Sequence, residues 1–482
     1  MIGTDRRIVL LALAGAAAAC SSDAEGPTGP GPSTPARVAA VAVTPAALTL
    51  RSGDTATLSV SLTDSAGNVL SGRAVTWSTS NTGIASITPA GLVTALAPGQ
   101  AELTATSESH SGSAALQVLP PQLPDFATAA VDTAGELGDG LTIAPGPGGA
   151  VHALYYDRTT RRMKYAACSA ACTSPASWTI GVFQPTAGNM MSIAAGASGR
   201  LHAAFYGPQG KDNLGYAICD AGCNTPAGWS VIRVDTAQYA GRSPRLLIGS
   251  DGALHVAYET NGGLAYATCA TECSLTWNWQ RAVLVPPATA SVMAPQLALG
   301  PGGSVHITFF EDNAGSINYA TCASSCTDAA NWRQAQAVPP GRPGFRHGLA
   351  VDGSGRVTVA WQDGQASDAM VALCPGDCAA ASRWQSTAVD TSSFAGAHPA
   401  LIVDAAGAIH MVYGFSNPAT REVRYARCIA GCNVAANWQV KAVDSSVNAI
   451  GWFNGIMLGP GSEPRIAYVD VTRNDVRWAQ PH

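Results

Sequence analysis

A chain of 482 residues is too long for one ordinary core, and its 47% hydrophobic residues supply material for more than one. Charged residues reach only 12%, about half the usual ~25%, so Ser, Thr, Asn, Gln, Gly and Ala must finish a surface of the kind that suits an extracellular β protein. A formal charge of -5 with no run of Lys or Arg excludes a nucleic-acid partner, and past the first twenty residues nothing approaches the ~20 apolar residues of a helical membrane span.

At the N-terminus Arg6 and Arg7 precede an apolar run, Ile8 to Ala19, long enough for a signal-peptide core and short for a permanent span. The run ends in Ala17-Ala18-Ala19-Cys20, small residues before a Cys that resemble the bacterial lipobox. That resemblance implies removal of residues 1–19, a lipid on Cys20, and attachment to the bacterial envelope; Ser21 in place of Asp implies the outer membrane. The alternative is an ordinary secretory signal with a coincidental Cys. Residues 20–36 argue against it, because Gly26-Pro27, Gly29-Pro30 and Gly31-Pro32 forbid regular structure and make a flexible tether.

Residues 37–119 alternate apolar and polar in short runs, such as Leu58 to Leu62 and Ala101 to Thr106, separated by turn residues. This is the pattern of an antiparallel sandwich. Val75-Thr76-Trp77-Ser78-Thr79-Ser80-Asn81, Gly91-Leu92-Val93-Thr94-Ala95 and Gly99 to Thr106 resemble the bacterial Ig-like group 2 family, in the right order. The resemblance implies a spacer without catalytic residues, with Trp77 as its core aromatic.

Residues 120–482 repeat. Twelve Cys form six pairs: Cys168 with Cys172, Cys219 with Cys223, Cys269 with Cys273, Cys322 with Cys326, Cys374 with Cys378, and Cys428 with Cys432. First members lie 50 to 54 residues apart. A Trp follows each second Cys by six positions: Trp178, Trp229, Trp279, Trp332, Trp384 and Trp438. Each unit reads as four strands, the signature of a propeller blade. After the sixth unit only three strands remain, and Phe126 to Thr133 aligns on Trp384 to Thr391 without a gap. The expected fold is therefore all-β, an Ig-like sandwich followed by a seven-bladed propeller whose last blade is completed by residues 124–133.

The Cys pairs could be disulfides or metal ligands. Export and complete pairing favour disulfides, and two thiolates per blade make only half a zinc site. They fall in the hairpin that carries the Asp box in sialidase-like propellers, also just before a Trp, so the region resembles that superfamily with a Cys-pair loop in place of the box. A column of His152, His202, His255, His306 and His410, with Thr358 and Arg465 at equivalent places, is spread one per blade. Each His is expected to bond the turn of its own blade rather than a metal. No metal or other cofactor is implied.

Function in a repeat scaffold should sit where the repeat breaks. Before the first strand of each unit stand Asp139, Asn189, Arg242 with Arg245, Gln296, Arg346 with His347, His398, and Trp452 with Asn454, around the expected channel mouth. Such a set suits an anionic or hydroxyl-rich ligand such as a glycan, or it is ordinary polar lining of a wet channel. A sialidase-type hydrolase would add a Tyr and Glu pair, which the sequence does not place there, and the Arg-Ile-Pro motif is absent. The sequence thus points to a monomeric, lipid-anchored, non-enzymatic surface module for glycans or proteins, with a glycan-active hydrolase or lyase as the competing reading.

Overall fold

A computed structural model describes residues 36–482 except 185–187, 208–210, 288, 290, 342 and 447–449, and divides them between Pro120 and Pro121 into two units. The signal segment, Cys20 and the tether lie outside the described residues, as do the side chains of Asp139 and Trp452.

The first unit is a sandwich. Ala47–Arg51, His110–Leu119, Gly99–Ser107 and Thr76–Thr79 form one four-stranded sheet, faced by a pair, Ala40–Thr44 with Ser59–Thr63, and a three-stranded sheet of Thr55–Thr57, Leu92–Ala95 and Ala85–Ile87. Alternation does the sorting: Ala101, Leu103 and Ala105 on one strand and Ala114, Leu116 and Val118 on the next are buried. Trp77, expected as the core aromatic, is partly buried and packs against this cluster of aliphatic side chains. Gly91 has φ +80°, and a Cβ would lie 2.5 Å from the Leu58 carbonyl oxygen, so its motif requires glycine there.

The second unit holds seven four-stranded antiparallel sheets. Blades 1 to 6 span 137–184, 191–235, 240–285, 292–338, 343–390 and 395–446, with strands a to d in chain order. Blade 7 takes strands a to c from Ile450–Leu458, Pro464–Asp470 and Asp475–Pro481, and its strand d is Phe126–Asp132, paired antiparallel with Phe126 opposite Pro481. Each sheet is open, and the ring closes through packing. Seven apolar clusters each join two neighbouring blades, the last uniting Met457, Ala467 and Trp478 of blade 7 with Leu141, Ala153 and Tyr155 of blade 1. A strand between two neighbours has both faces covered, so strand b of blade 4, Val305–Glu311, is buried at every position before Glu311, His306 and Thr308 included.

Two girdles fasten the ring. On one face, the c–d hairpins of blades 1 to 6 each carry a disulfide. The bonds join Cys168 to Cys172, Cys219 to Cys223, Cys269 to Cys273, Cys322 to Cys326, Cys374 to Cys378, and Cys428 to Cys432, with Cα atoms 5.7–5.8 Å apart. Every thiol of the six pairs is thereby spent on its own hairpin, so the metal-ligand alternative falls. The third residue after each first Cys is left-handed, from Glu272 at φ 49° to Gly222 at φ 68°. Each following Trp donates its indole N–H to the carbonyl of the second Cys at 2.8–3.0 Å. The ring of that Trp meets strand c of the preceding blade, as Trp279 meets Tyr216 with centroids 5.1 Å apart. At the seam Phe126 occupies the Trp position and contacts Tyr425 at 5.6 Å.

The histidine column belongs to this girdle. His152, His202, His255, His306 and His410 share hydrogen bonds through Nδ1 with the phenols of Tyr165, Tyr216, Tyr266, Tyr319 and Tyr425 at 2.5–2.7 Å, where a bond to the turn was expected. His306 and His410 also reach their own turns through Nε2, at Ser304 2.9 Å and Asp404 3.3 Å away. The neighbouring strand offers a phenol at the right depth, whereas the turn glycine simply makes room: a Cβ on Gly146 would lie 2.5 Å from His152 Nε2. Where the repeat loses the His it loses the Tyr, with Thr358 beside Leu373 and Val371 in the Tyr place, and with Arg465 and Trp478 in blade 7. Arg465 instead donates across the seam to the Gly149 carbonyl at 2.9 Å.

The opposite face carries the second girdle. Tyr155, Tyr258, Tyr413 and Tyr468 on strand b donate to Asp132, Asp235, Asp390 and Asp444 at the end of strand d of the preceding blade, at 2.5–2.7 Å. Lys164, Arg281, Arg424 and Arg477 pair with the same four carboxylates.

Candidate functional site

Strand a enters the ring axis from the face of the second girdle, and its pairing with strand b fixes the depth of each side chain. One residue beyond the histidine column, strand b always faces a Leu or Ile of strand a: Ile143, Ile193, Leu246, Leu297, Leu349, Leu401 and Ile456. Counted back from these anchors, the residues expected to share one circle occupy four successive levels. Asp139, Asn189, Arg242 and Trp452 are outermost, then Arg346 and His398, then His347 and Asn454, and Arg245 and Gln296 are deepest. A single circle overlooks the bulges that interrupt six of the seven first strands between rim and anchor. Bulges re-aim side chains, and they favour functional edges.

The structure brings together some of these residues and separates others. Arg245, Gln296, Arg346 and Asn189 line one pocket of about 80 Å³ just inside the mouth. Below it a cavity of about 370 Å³ runs along the ring axis, lined by all seven blades, with Arg245, Gln296 and Asn454 among its few polar side chains. Arg245 donates from Nε to Gln296 Oε1 at 3.0 Å, and Gln296 is held in turn through Nε2 on the Ala294 carbonyl at 3.2 Å. Burial, with Arg346 close by, pushes the Arg245 guanidinium down to about 10.

His347 and His398 belong to the wall. His347 is buried with Nδ1 3.1 Å from the Phe345 carbonyl oxygen, and Asn454 donates to the His398 carbonyl at 2.9 Å, tying blade 7 to blade 6. Burial pushes both imidazoles down to about 4, so they are neutral at pH 7. Arg242 is exposed at the rim, 3.9 Å from Glu259, whose carboxylate also accepts from the Ala294 backbone N–H.

Sequence reasoning missed three features here. Exposed aromatics, Tyr239, Phe345 and Phe394, stand in the segments leading into strands a, and the Arg346 guanidinium lies 5.1 Å from the Phe345 ring centre. Backbone strain collects in the same segments, with non-glycine φ values of 60° at Tyr239, 45° at Ser243, 51° at Ala294, 66° at Phe394 and 49° at His398. The third is a phenol: Tyr206 donates to Asp212 at 2.7 Å, and burial plus that carboxylate push it up to about 12 while neighbouring Arg242 acts the other way. A Tyr with an acid and an Arg thus does stand at the mouth, although 36 residues separate Tyr206 from Arg242 and no repeat links them. Among the described residues no three His, Cys, Asp or Glu side chains gather as a metal site would require.

No curated protein matches this chain in sequence. Among solved structures, an ulvan lyase of a polysaccharide lyase family, bound to a GlcA–Rha3S repeat, matches with a TM-score of 0.51 at 10% identity, covering 74% of this chain and 95% of that one. A second polysaccharide lyase matches with a TM-score of 0.48 at 9% identity, covering 75% and 100%. The NanB sialidase of Streptococcus pneumoniae matches at 0.41 and 9% identity, covering 80% and 84%. At 10% identity the first of these likenesses speaks for the ring fold alone. Residues 37–118 match the bacterial Ig-like domain (group 2) family, so the chain joins a region that matches that family to a propeller of seven four-stranded blades.

Proposed function

We propose that this chain is a lipid-anchored, non-enzymatic module of the bacterial outer membrane that binds glycans at the propeller mouth. Cys20 carries the lipid, the tether and Ig-like domain act as spacer, and the monomeric ring presents the ligand face. The observation that carries the reading is that exposed Tyr239, Phe345 and Phe394 share with Arg242, Arg245 and Arg346 the face on which the segments into strands a are irregular. Aromatic faces stack on sugar rings and guanidinium groups bond their oxygens in two-pronged fashion.

A glycan array probed with the secreted Cys20→Ala chain tests this. Specific glycan signals that fall in a variant carrying Tyr239→Ala and Phe394→Ala support it; an empty array, or signals indifferent to the rim, count against it.

One observation favours a second reading, that of a glycan-cleaving enzyme: the Tyr206 phenol beside Arg242 and Asp212 at the mouth. New chain ends appearing when glycans are incubated with the protein, and vanishing with Tyr206→Phe, would replace the binding-only reading.

A further inference from the structure

The mouth pocket draws two cations into one recess. Arg245 and Arg346 both line it, with Asn189, Ser243 and Gln296 as polar company, and no carboxylate stands among the described residues of its lining. The bonded partner of Arg245 is a neutral amide, that of Gln296, which takes one of the five donors a guanidinium offers. Glu259, at the end of strand b of blade 3, is occupied by the Ala294 backbone N–H and by Arg242 at the rim.

Two guanidinium groups sharing a recess repel one another more strongly than in water, a cost that an anion placed between them converts into attraction. Arg245 is pushed down first by burial and then by the charge of Arg346. Nearby His347 and His398 are pushed the same way, and Arg346 contributes to both. Size narrows the occupant. A recess of about 80 Å³ takes a group of a few heavy atoms, whereas the open rim with its aromatics is where a sugar ring would lie.

We propose that the Arg245–Arg346 recess seats an anionic substituent, a carboxylate or a sulfate ester, of the glycan bound at the mouth. The inference rests on the glycan-binding reading and narrows it to acidic glycans. Gln296 acts as a positioning residue, holding the Arg245 fork in one plane for two-pronged contact.

The test is calorimetric titration of the secreted Cys20→Ala chain with three oligosaccharides of matched length, one neutral, one bearing uronate and one bearing sulfate, at low and high salt. An acidic oligosaccharide should bind roughly tenfold or more tightly than the neutral one at low salt, and the uronate and sulfate arms identify the group. Arg245→Gln should abolish that preference, bringing the affinity for the acidic oligosaccharides down to that for the neutral one, with Arg245→Lys retaining part of it; a melting curve for each variant confirms the fold. Equal affinity for acidic and neutral ligands, or a preference that survives Arg245→Gln in a folded protein, overturns the inference. If the neutral oligosaccharide binds and Phe394→Ala weakens it while no acidic preference exists, the recess proposal alone falls. If none of the three binds and the array is empty, the glycan reading falls with it.

Discussion

At the scale of residues, the repeat has carried out its own substitution experiment. Strand b places Tyr155, Phe205, Tyr258, Phe309, Trp361, Tyr413 and Tyr468 at one equivalent position, and the preceding strand d ends in Asp132, Gln184, Asp235, Val285, Val338, Asp390 and Asp444. Tyr occurs where the partner is Asp and nowhere else. A buried phenol needs an acceptor and a buried carboxylate needs donors, so neither is kept alone. Asp235→Val should therefore cost about 1–3 kcal/mol by stranding the Tyr258 hydroxyl, whereas Asp235→Val with Tyr258→Phe reproduces the pairing of Val285 with Phe309 and should recover part of that loss. Urea denaturation of the four members of the cycle measures the coupling, and strictly additive losses would contradict the pairing.

The histidine girdle gives a second residue-scale expectation. Burial pushes His202 and His306 from their ordinary 6.5 down to about 4 in the folded chain. Between those values the unfolded chain binds protons that the folded chain refuses, so their contribution to stability is complete above pH 6.5 and is lost as pH falls toward 4. The melting temperature should drop across that window, and His202→Gln with His306→Gln should flatten the drop. A melting temperature independent of pH from 7 to 4 would contradict the neutral, phenol-bonded state. This pairing was open to sequence reading, since a Tyr stands three places before the first Cys in each of the five units that carry the His.

At the scale of elements, the most informative piece is Phe126–Asp132. Its place could be read from sequence because the blade it completes is short by one strand and because Phe126 aligns on a Trp; the structure adds that Phe126 contacts Tyr425 as the Trp contacts Tyr elsewhere. Removing residues 121–133 would bare the edge of Asp475–Pro481 and uncover the Ile466–Tyr468–Ala479 cluster. The truncated protein should aggregate, and light scattering checks this; a monomer of unchanged melting temperature would contradict the closure. The first strands were less legible. Their bulges fall at different places in different blades, so Arg245 and Arg346, expected on one circle, lie at levels two residues apart.

At the scale of the whole ring, the two faces divide the labour. One carries disulfides, indoles and the His–Tyr pairs in near-perfect repetition, which is what a fastening face should look like. The other keeps Tyr–Asp latches in four of its seven blades but lets the segments into strands a vary, and there exposed aromatics and arginines collect. Fold and periodicity could be read from sequence because equal spacing exposes them, down to the partner of each Cys. The site could not be read in full, because Tyr206, Arg242 and Arg346 come from different blades and only the closed ring sets them around one axis.

The fastening face has an exposed departure of its own, Trp277, 78% exposed in the blade 3 hairpin where other units have Ala or Ser. It supplies the sharpest control for the claim that the mouth is the ligand face. Glycan binding should be compared among the parent chain, a mouth variant carrying Arg245→Gln and Phe394→Ala, and Trp277→Ala, all shown by melting to be folded. The account predicts that binding is lost in the mouth variant and kept in Trp277→Ala. Binding kept in the mouth variant and lost in Trp277→Ala would contradict it.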